Sequence, residues 1–257
     1  LLINIKQNET IIVYHSLDLI QTIRLLKLFK KVNIILEVEE IYADLYNNKN
    51  IINKEFSFFN KASKFIFPTN ILSELININH KPYIINHGTY RVEPQIAQKF
   101  VDGKIHCVYA GTFNPIKGGA SVAISVAEHL NINYHIHILG FGTKSEIDKV
   151  IQHIKLLSGK TRCSITYDGL LLGEEYVKFI QSCHIGLSTQ NPDAQYNETS
   201  FPSKVLSYLS NGLRVISAKI KVLETSAVND LLYYYENATP KEIAKSIMSI
   251  NLNDPYD

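Results

Sequence analysis

The segment YNETSFPSKVLSYLSNGLRVIS, residues 196–217, is the part of this chain whose reading decides the fold. Pro202 has its φ fixed near a helical value and lacks the N–H that a first helical turn leaves unbonded, so it suits a helix start. Gly212 suits the helix end, where a residue in the left-handed region closes the last turn. The β-branched Val215 and Ile216 follow almost at once. A short, sharply bounded helix therefore delivers the chain straight into a strand. Its first turn carries Ser203 and Lys204 at the carboxyl side of a strand, where open α/β sheets bind ligands and where free N–H groups favour an anion.

Working outward, the same alternation recurs. Strand patterns at 106–110, 134–139, 164–167, 184–188, 214–218 and 231–235 are separated by amphipathic stretches, and a last helical pattern covers 240–250. Six strands with crossover helices predict a complete doubly wound parallel sheet. Earlier in the chain, strand patterns at 11–15, 33–37, 65–68 and 83–86 alternate with helical patterns at 17–31, about 40–62 and 71–76. The class is α/β. Residues 88–102 hold Pro94, precede Gly103 and lack a sustained period, which predicts a linker and a boundary near residue 100, with units 1–100 and 101–257.

Composition narrows the class. With 46% hydrophobic and 19% charged residues in 257, the chain is neither disordered nor fibrous. The formal charge of +2 comes without a long run of like charges, so no nucleic-acid partner is expected. Cys107, Cys163 and Cys183 are odd in number and far apart, which indicates neither a disulfide framework nor a zinc knuckle and fits a reducing compartment. No apolar run is long enough to cross a bilayer, so no membrane span is expected, and with the reducing compartment that the cysteines fit the expected location is the cytoplasm. Lys27, Lys30 and Lys31 cluster on one helix, leaving peripheral contact with the inner membrane face as an alternative to a solvated helix face. The chain opens at Leu1 inside an apolar pattern, and the expectation is that upstream sequence is missing.

A second candidate site is the turn at 108–119, VYAGTFNPIKGG, where a strand end, Lys117 and the pair Gly118 and Gly119 meet a helix start. The P-loop spacing is absent, and glycine at such a turn also serves backbone accommodation alone. Two lysine-bearing helix starts, Lys117 and Lys204, at the carboxyl ends of strands in one sheet point to a shared diphosphate. Gly140 and Gly142 supply two glycines of a dinucleotide fingerprint without the third, which argues against nicotinamide binding.

Carboxylates near these loops include Glu198, Glu174 and Glu175, mostly expected as surface charges. His135 and His137 share one strand face, but no third ligand is near in sequence, so packing is the expected role and no protein-held metal or other cofactor is predicted. His15 ends its strand and His87 follows another, so both can project toward a cleft, where His15 is the acceptor-side candidate, while a buried or surface histidine with no catalytic duty is at least an equal expectation for each.

With those residues in view, residues 84–250 resemble the donor-binding domain of GT-B glycosyltransferases, specifically the family 4 retaining enzymes and bacterial polysaccharide-synthesis relatives. Tyr109-Ala110-Gly111 through Lys117-Gly118 is similar to the family's G-R-L followed by K-G, Leu139-Gly140-Phe141-Gly142 to its G-x-G turn, and Asp168-Gly169-Leu170 to the strand end beside the nucleotide base. Phe201, Gly212 and Val215-Ile216 fit the family's next motif, whereas Thr199 and Ser207 stand where it carries two glutamates and Thr112 where it carries an arginine. Phe201-Pro202-Ser203-Lys204 with Tyr208 is closer to a branch with a P-S-K motif before a Y-L-x-x-G helix.

The resemblance implies a GT-B fold of two Rossmann-like domains, an incomplete acceptor-side one in 1–100 and a complete nucleotide-sugar-binding one in 101–257. It implies transfer from a nucleotide sugar, UDP-linked, to a glycan or lipid-linked acceptor with retention. Lys117, Lys204 and Glu198 become the catalytic candidates. Gly111, Thr112, Gly118, Gly140, Gly142, Leu170, Thr199, Phe201, Pro202, Ser203 and Ser207 become the donor-binding candidates. The competing expectation is a non-catalytic GT-B subunit that stabilises a partner enzyme.

Overall fold

The computed structural model describes residues 4–45, 48–77, 79–115, 119–191 and 193–254. Among them, ten strands occupy the β-branched runs read from the sequence. The first four are β1 (Thr10–Tyr14), β2 (Asn33–Glu37), β3 (Lys64–Phe67) and β4 (Tyr83–Ile85), with α1 (Leu19–Phe29), α2 (Tyr42–Leu45), α3 (Lys49–Phe59) and α4 (Asn70–Ile76) between them. They pair in parallel in the order β1-β2-β3-β4. Ile34, Leu36, Phe58, Phe67 and Leu72 are wholly buried in the core of this unit.

The single helix expected over about 40–62 is two. The side chain of Glu55 on α3 turns inward and accepts the N–H groups of Tyr42 at 2.7 Å and Ala43 at 3.0 Å, satisfying donors that the start of α2 would otherwise leave bare. That long-range cap fixes α2 as a separate turn.

The remaining strands are β5 (Ile105–Thr112), β6 (Tyr134–Phe141), β7 (Ser164–Gly169), β8 (Ile185–Ser188), β9 (Arg214–Ala218) and β10 (Leu232–Tyr235). Their helices are α5 (Gly119–Ser125), α6 (Lys144–Ser158), α7 (Gly173–Ser182), α8 (Ser203–Ser210), α9 (Lys221–Glu224) and α10 (Pro240–Met248). The sheet is parallel throughout, ordered β10-β9-β8-β5-β6-β7, the doubly wound arrangement expected. Thr143 caps α6 with a capping box through Glu146. At the end of α8, Gly212 takes φ +72°, its N–H reaches Leu209 O at 3.0 Å and the Leu213 N–H reaches Tyr208 O at 3.1 Å, a Schellman closure that turns the chain into β9.

Packing divides the chain into two units, Leu1–Thr89 with Gln195–Phe201, and Tyr90–Ala194 with Pro202–Asp257. The division after Thr89 precedes the boundary placed near residue 100, because the stretch at 93–100 is fastened to the second sheet's helices. The Gln181 side chain receives the N–H groups of Ile96 and Ala97, and Phe100 N–H donates to Ser182 O. The first unit also reclaims a later segment, since the Thr69 hydroxyl donates to Thr199 O at 2.7 Å. All three cysteines are buried and none forms a disulfide. No helix among the described residues is long and apolar enough to cross a membrane.

Candidate functional site

The second sheet winds outward from β5 through β6 to β7, then returns to the other flank of β5 and continues through β8, β9 and β10. The reversal falls between β5 and β8, which pair through Cys107 with Ile185 and Val108 with Gly186. Beyond the carboxyl ends of two strands that diverge this way, the helices leave in opposite directions and a crevice opens. Gly111 and Thr112 end β5, and Ser188 ends β8.

The helix α8 is aimed at that point by Tyr208, which is fully buried. Gly186 makes room for its ring, since a Cβ on Gly186 would lie 2.4 Å from two ring carbons. The phenolic oxygen accepts the Ala110 N–H at 2.8 Å. One turn earlier on the same helix face, Lys204 reaches the end of β5. A Cβ on Gly111 would lie 2.4 Å from the Lys204 Cε and 2.8 Å from Nζ, and Nζ stands 5.3 Å from the centroid of the Tyr109 ring. The ring face favours the cation, and the Tyr109 hydroxyl is held by Thr112 O at 3.1 Å.

The glycines here are requirements of close approach. Gly140 has φ +146°, and a Cβ on it would lie 1.8 Å from Gly111 O, so β5 and β6 can end side by side only without a side chain there. Gly119, the first residue of α5, lies under the Tyr109 ring, and its carbonyl accepts the Thr189 hydroxyl at 2.7 Å. A lysine ammonium, a strand end stripped of side chains and a hydroxyl-fixed turn thus meet at the reversal of strand order, an arrangement suited to an anion.

The predicted residues fall into separate groups. Gly111, Thr112, Gly140 and Lys204 gather at the crevice. Gly142 sits beside Glu146, Leu170 is about half exposed beyond β7, and Ser203 is exposed at the start of α8. Pro202 occupies the N-cap position of α8 rather than its first turn. The Ser207 hydroxyl is engaged by the Tyr176 hydroxyl at 3.0 Å. Lys117 and Gly118 lie outside the described residues.

Glu198, Thr199 and Phe201 pack with the first unit. Glu198 is exposed, and its charge adds to burial in holding the Asp44 carboxyl above its usual range. Thr199 is buried, and the Phe201 ring stacks on His87 at 4.5 Å.

His15 requires correction. It is 2% exposed, with its ring 4.9 Å from Tyr42 and 5.0 Å from Phe59, and its Nε2 is 3.3 Å from Glu55. Burial lowers its pKa to about 4. Its ring is enclosed by Tyr42, Phe58 and Phe59 inside the first unit, the buried alternative to a side chain projecting from the strand end. The strand period alone does not say which side of the sheet a terminal side chain takes.

Sequence reasoning assigned no role to Tyr109, Tyr208 or Thr189. The signal was present for one of them, because Lys204 and Tyr208 are four apart on a helix and so face the same strand end.

No protein-family model matches the chain, and no curated protein matches it in sequence. Solved structures match its fold. Anabaena Alr3699/HepE in complex with UDP and glucose is similar with a TM-score of 0.66 at 15% identity, over 93% of this chain and 67% of that one. The α,α-trehalose-phosphate synthase (UDP-forming) of Burkholderia xenovorans gives 0.68 at 9%, over 98% and 68%. The sucrose-phosphate synthase of Thermosynechococcus elongatus gives 0.72 at 11%, over 93% and 63%. The two Rossmann-like units therefore carry the GT-B type of fold.

Proposed function

We propose that this chain transfers a sugar from a nucleotide diphosphate sugar, with UDP as the nucleotide, to a hydroxyl of a glycan or glycolipid acceptor, with retention at the sugar carbon. The observation that carries this reading is the Lys204 ammonium held over Gly111 at the reversal of strand order. The UDP and glucose bound by HepE support the donor class.

As the bond to the sugar breaks, negative charge builds on the departing diphosphate. A cation already in position stabilises that charge without reorganising. Lys204 supplies it, and Lys117 is proposed to supply a second from the turn after β5. The side-chain-free ends at Gly111 and Gly140 let the diphosphate approach the backbone. Thr112, Gly118, Gly142, Leu170, Ser203 and Ser207 complete the donor site in this reading. With retention, the acceptor attacks on the face the diphosphate leaves, and a phosphate oxygen takes the acceptor proton. No protein base or crevice metal is needed for that step.

The experiment is release of UDP from a panel of UDP-sugars in the presence of glycan acceptors. Lys204→Ala should lower kcat on the order of 10²-fold. Turnover that survives the substitution overturns the role of Lys204. One observation favours a second reading, a non-catalytic subunit: the family's two glutamate positions hold Thr199 and Ser207, and the Ser207 hydroxyl is already bonded to Tyr176. UDP binding by calorimetry without turnover selects that reading, and the absence of both removes the nucleotide-sugar assignment.

A further inference from the structure

Parallel sheets covered on both faces by helices normally present unbroken apolar runs. The second sheet departs from this over the first half of its strands. Its register sets His106 beside His135, Val108 beside His137, and Ser164 and Thr166 beside those two β6 histidines. Residues in register share a face, so three imidazoles stand together. His106 and His137 are 2% and 4% exposed, His135 is half-buried, and the Phe100 ring stacks on His106 at 4.2 Å.

The outer nitrogens of the two enclosed rings are committed. His106 Nε2 lies 2.8 Å from Asp102 Oδ1, and His137 Nδ1 lies 3.0 Å from Asp168 Oδ2. Their inner nitrogens, His106 Nδ1 and His137 Nε2, face each other at 2.8 Å. A neutral imidazole has one N–H. With each N–H given to a carboxylate, the facing nitrogens present lone pairs that a proton or a metal ion can bridge.

The geometry points to a divalent metal site of the zinc class, held by His106 Nδ1, His137 Nε2 and a ring nitrogen of His135. Ligand atoms of the three residues lie within 4.8 Å of one another. At metal–nitrogen distances of about 2.0–2.1 Å, neighbouring ligand nitrogens stand about 2.9–3.3 Å apart, close to the spacing of the His106 and His137 pair. Rotation of the less enclosed His135 ring closes the third side. Asp102 and Asp168 stand as the outer carboxylates that orient metal-bound imidazoles and raise their basicity. Imidazole donors suit zinc over the hard oxygen-seeking ions. The third ligand missing from the neighbourhood of His135 and His137 in sequence is supplied by β5 through the sheet register.

His106 precedes Gly111 by five residues, roughly 17 Å along an extended strand. The site therefore clamps β5 to β6 away from the crevice, and it stands or falls independently of the nucleotide-sugar reading.

The test is uptake of Zn²⁺ by the chelator-stripped protein, measured against a chromophoric competitor, with Co²⁺ as a spectroscopic substitute. One equivalent should bind, and Co²⁺ should give visible bands of a nitrogen-rich, low-coordinate site. His137→Gln should remove stoichiometric binding, Asp168→Asn should weaken it about 10–100-fold, and His129→Gln, outside the cluster, should leave it unchanged. If the histidine variant does not fold, X-ray absorption on the zinc-loaded wild type decides, with imidazole shells supporting the site and an oxygen-only shell refuting it. No uptake by the wild type means the two rings share only a proton, and overturns the proposal, as does undiminished binding in folded His137→Gln.

Discussion

The Lys204 side chain occupies the space that any side chain at position 111 would need, since a Cβ there would stand 2.4 Å from Cε and 2.8 Å from Nζ. Gly111→Ala should therefore push the ammonium off the end of β5 while leaving the fold intact, because the displaced atoms are the free end of a long chain. Losing a charge-assisted contact of about 1.5–3 kcal/mol weakens binding about 10–100-fold. Calorimetry with UDP measures it, alongside a thermal melt that should stay near wild type. Equal UDP affinity in the two proteins would separate Gly111 from the site.

The seat of α8 can be tested without any ligand. Tyr208→Phe removes the acceptor of the Ala110 N–H and leaves a buried donor unsatisfied, at a cost of about 1–3 kcal/mol. Urea denaturation should show a lower midpoint with an unchanged slope. A midpoint within error of wild type would mean that the hydroxyl carries no weight there.

Two glycine substitutions should act with opposite sign. Gly186→Ala drives a methyl group to 2.4 Å from the Tyr208 ring, and overpacking of this kind typically costs about 1–3 kcal/mol or more. Gly159→Ala, at the end of α6 with φ −80° and nothing within 4 Å of the added methyl, should stabilise by about 0.4–1 kcal/mol. A reversed order in chemical denaturation would mean that the strand-to-helix contact at Gly186 is looser than described.

Acid should weaken the first unit through His15. Its imidazole titrates at about 4 in the fold, lowered by burial, against about 6.5 in an unfolded chain. Between those values the unfolded chain takes up a proton that the folded chain refuses, so stability falls as pH drops from about 6.5 toward 4. Burial raises the Glu55 carboxyl and acts in the opposite sense, so the informative quantity is the difference from a variant. His15→Gln should lose stability less steeply over this range than wild type in denaturant titrations at several pH values. Parallel slopes would contradict the assignment.

The strands and the doubly wound order were legible because β-branched runs and amphipathic spacing are local properties. Lys204 was legible too, through Pro202 and Gly212 bounding its helix. What escaped was set by contacts distant in sequence. Glu55 caps α2 from another helix, Thr69 draws Thr199 into the first unit, and His15 turns toward Phe59 rather than outward. His106 joins His137 only once strand register is known, and no period along either strand encodes that register.

The chain passes between its two packing units after Thr89, after Ala194 and again after Phe201. Dissection by a single cut is therefore futile. A recombinant piece covering 90–257 would carry 195–201 without its seat, baring the Phe201 ring that stacks on His87 and depriving Thr199 of its Thr69 donor. Isolating the lysine-bearing sheet for crystallography or binding work calls for replacing that heptapeptide with a short polar bridge, whereas a proteolytic cut within it would detach 202–257 from the main chain of its own unit and leave the two units still joined after Thr89.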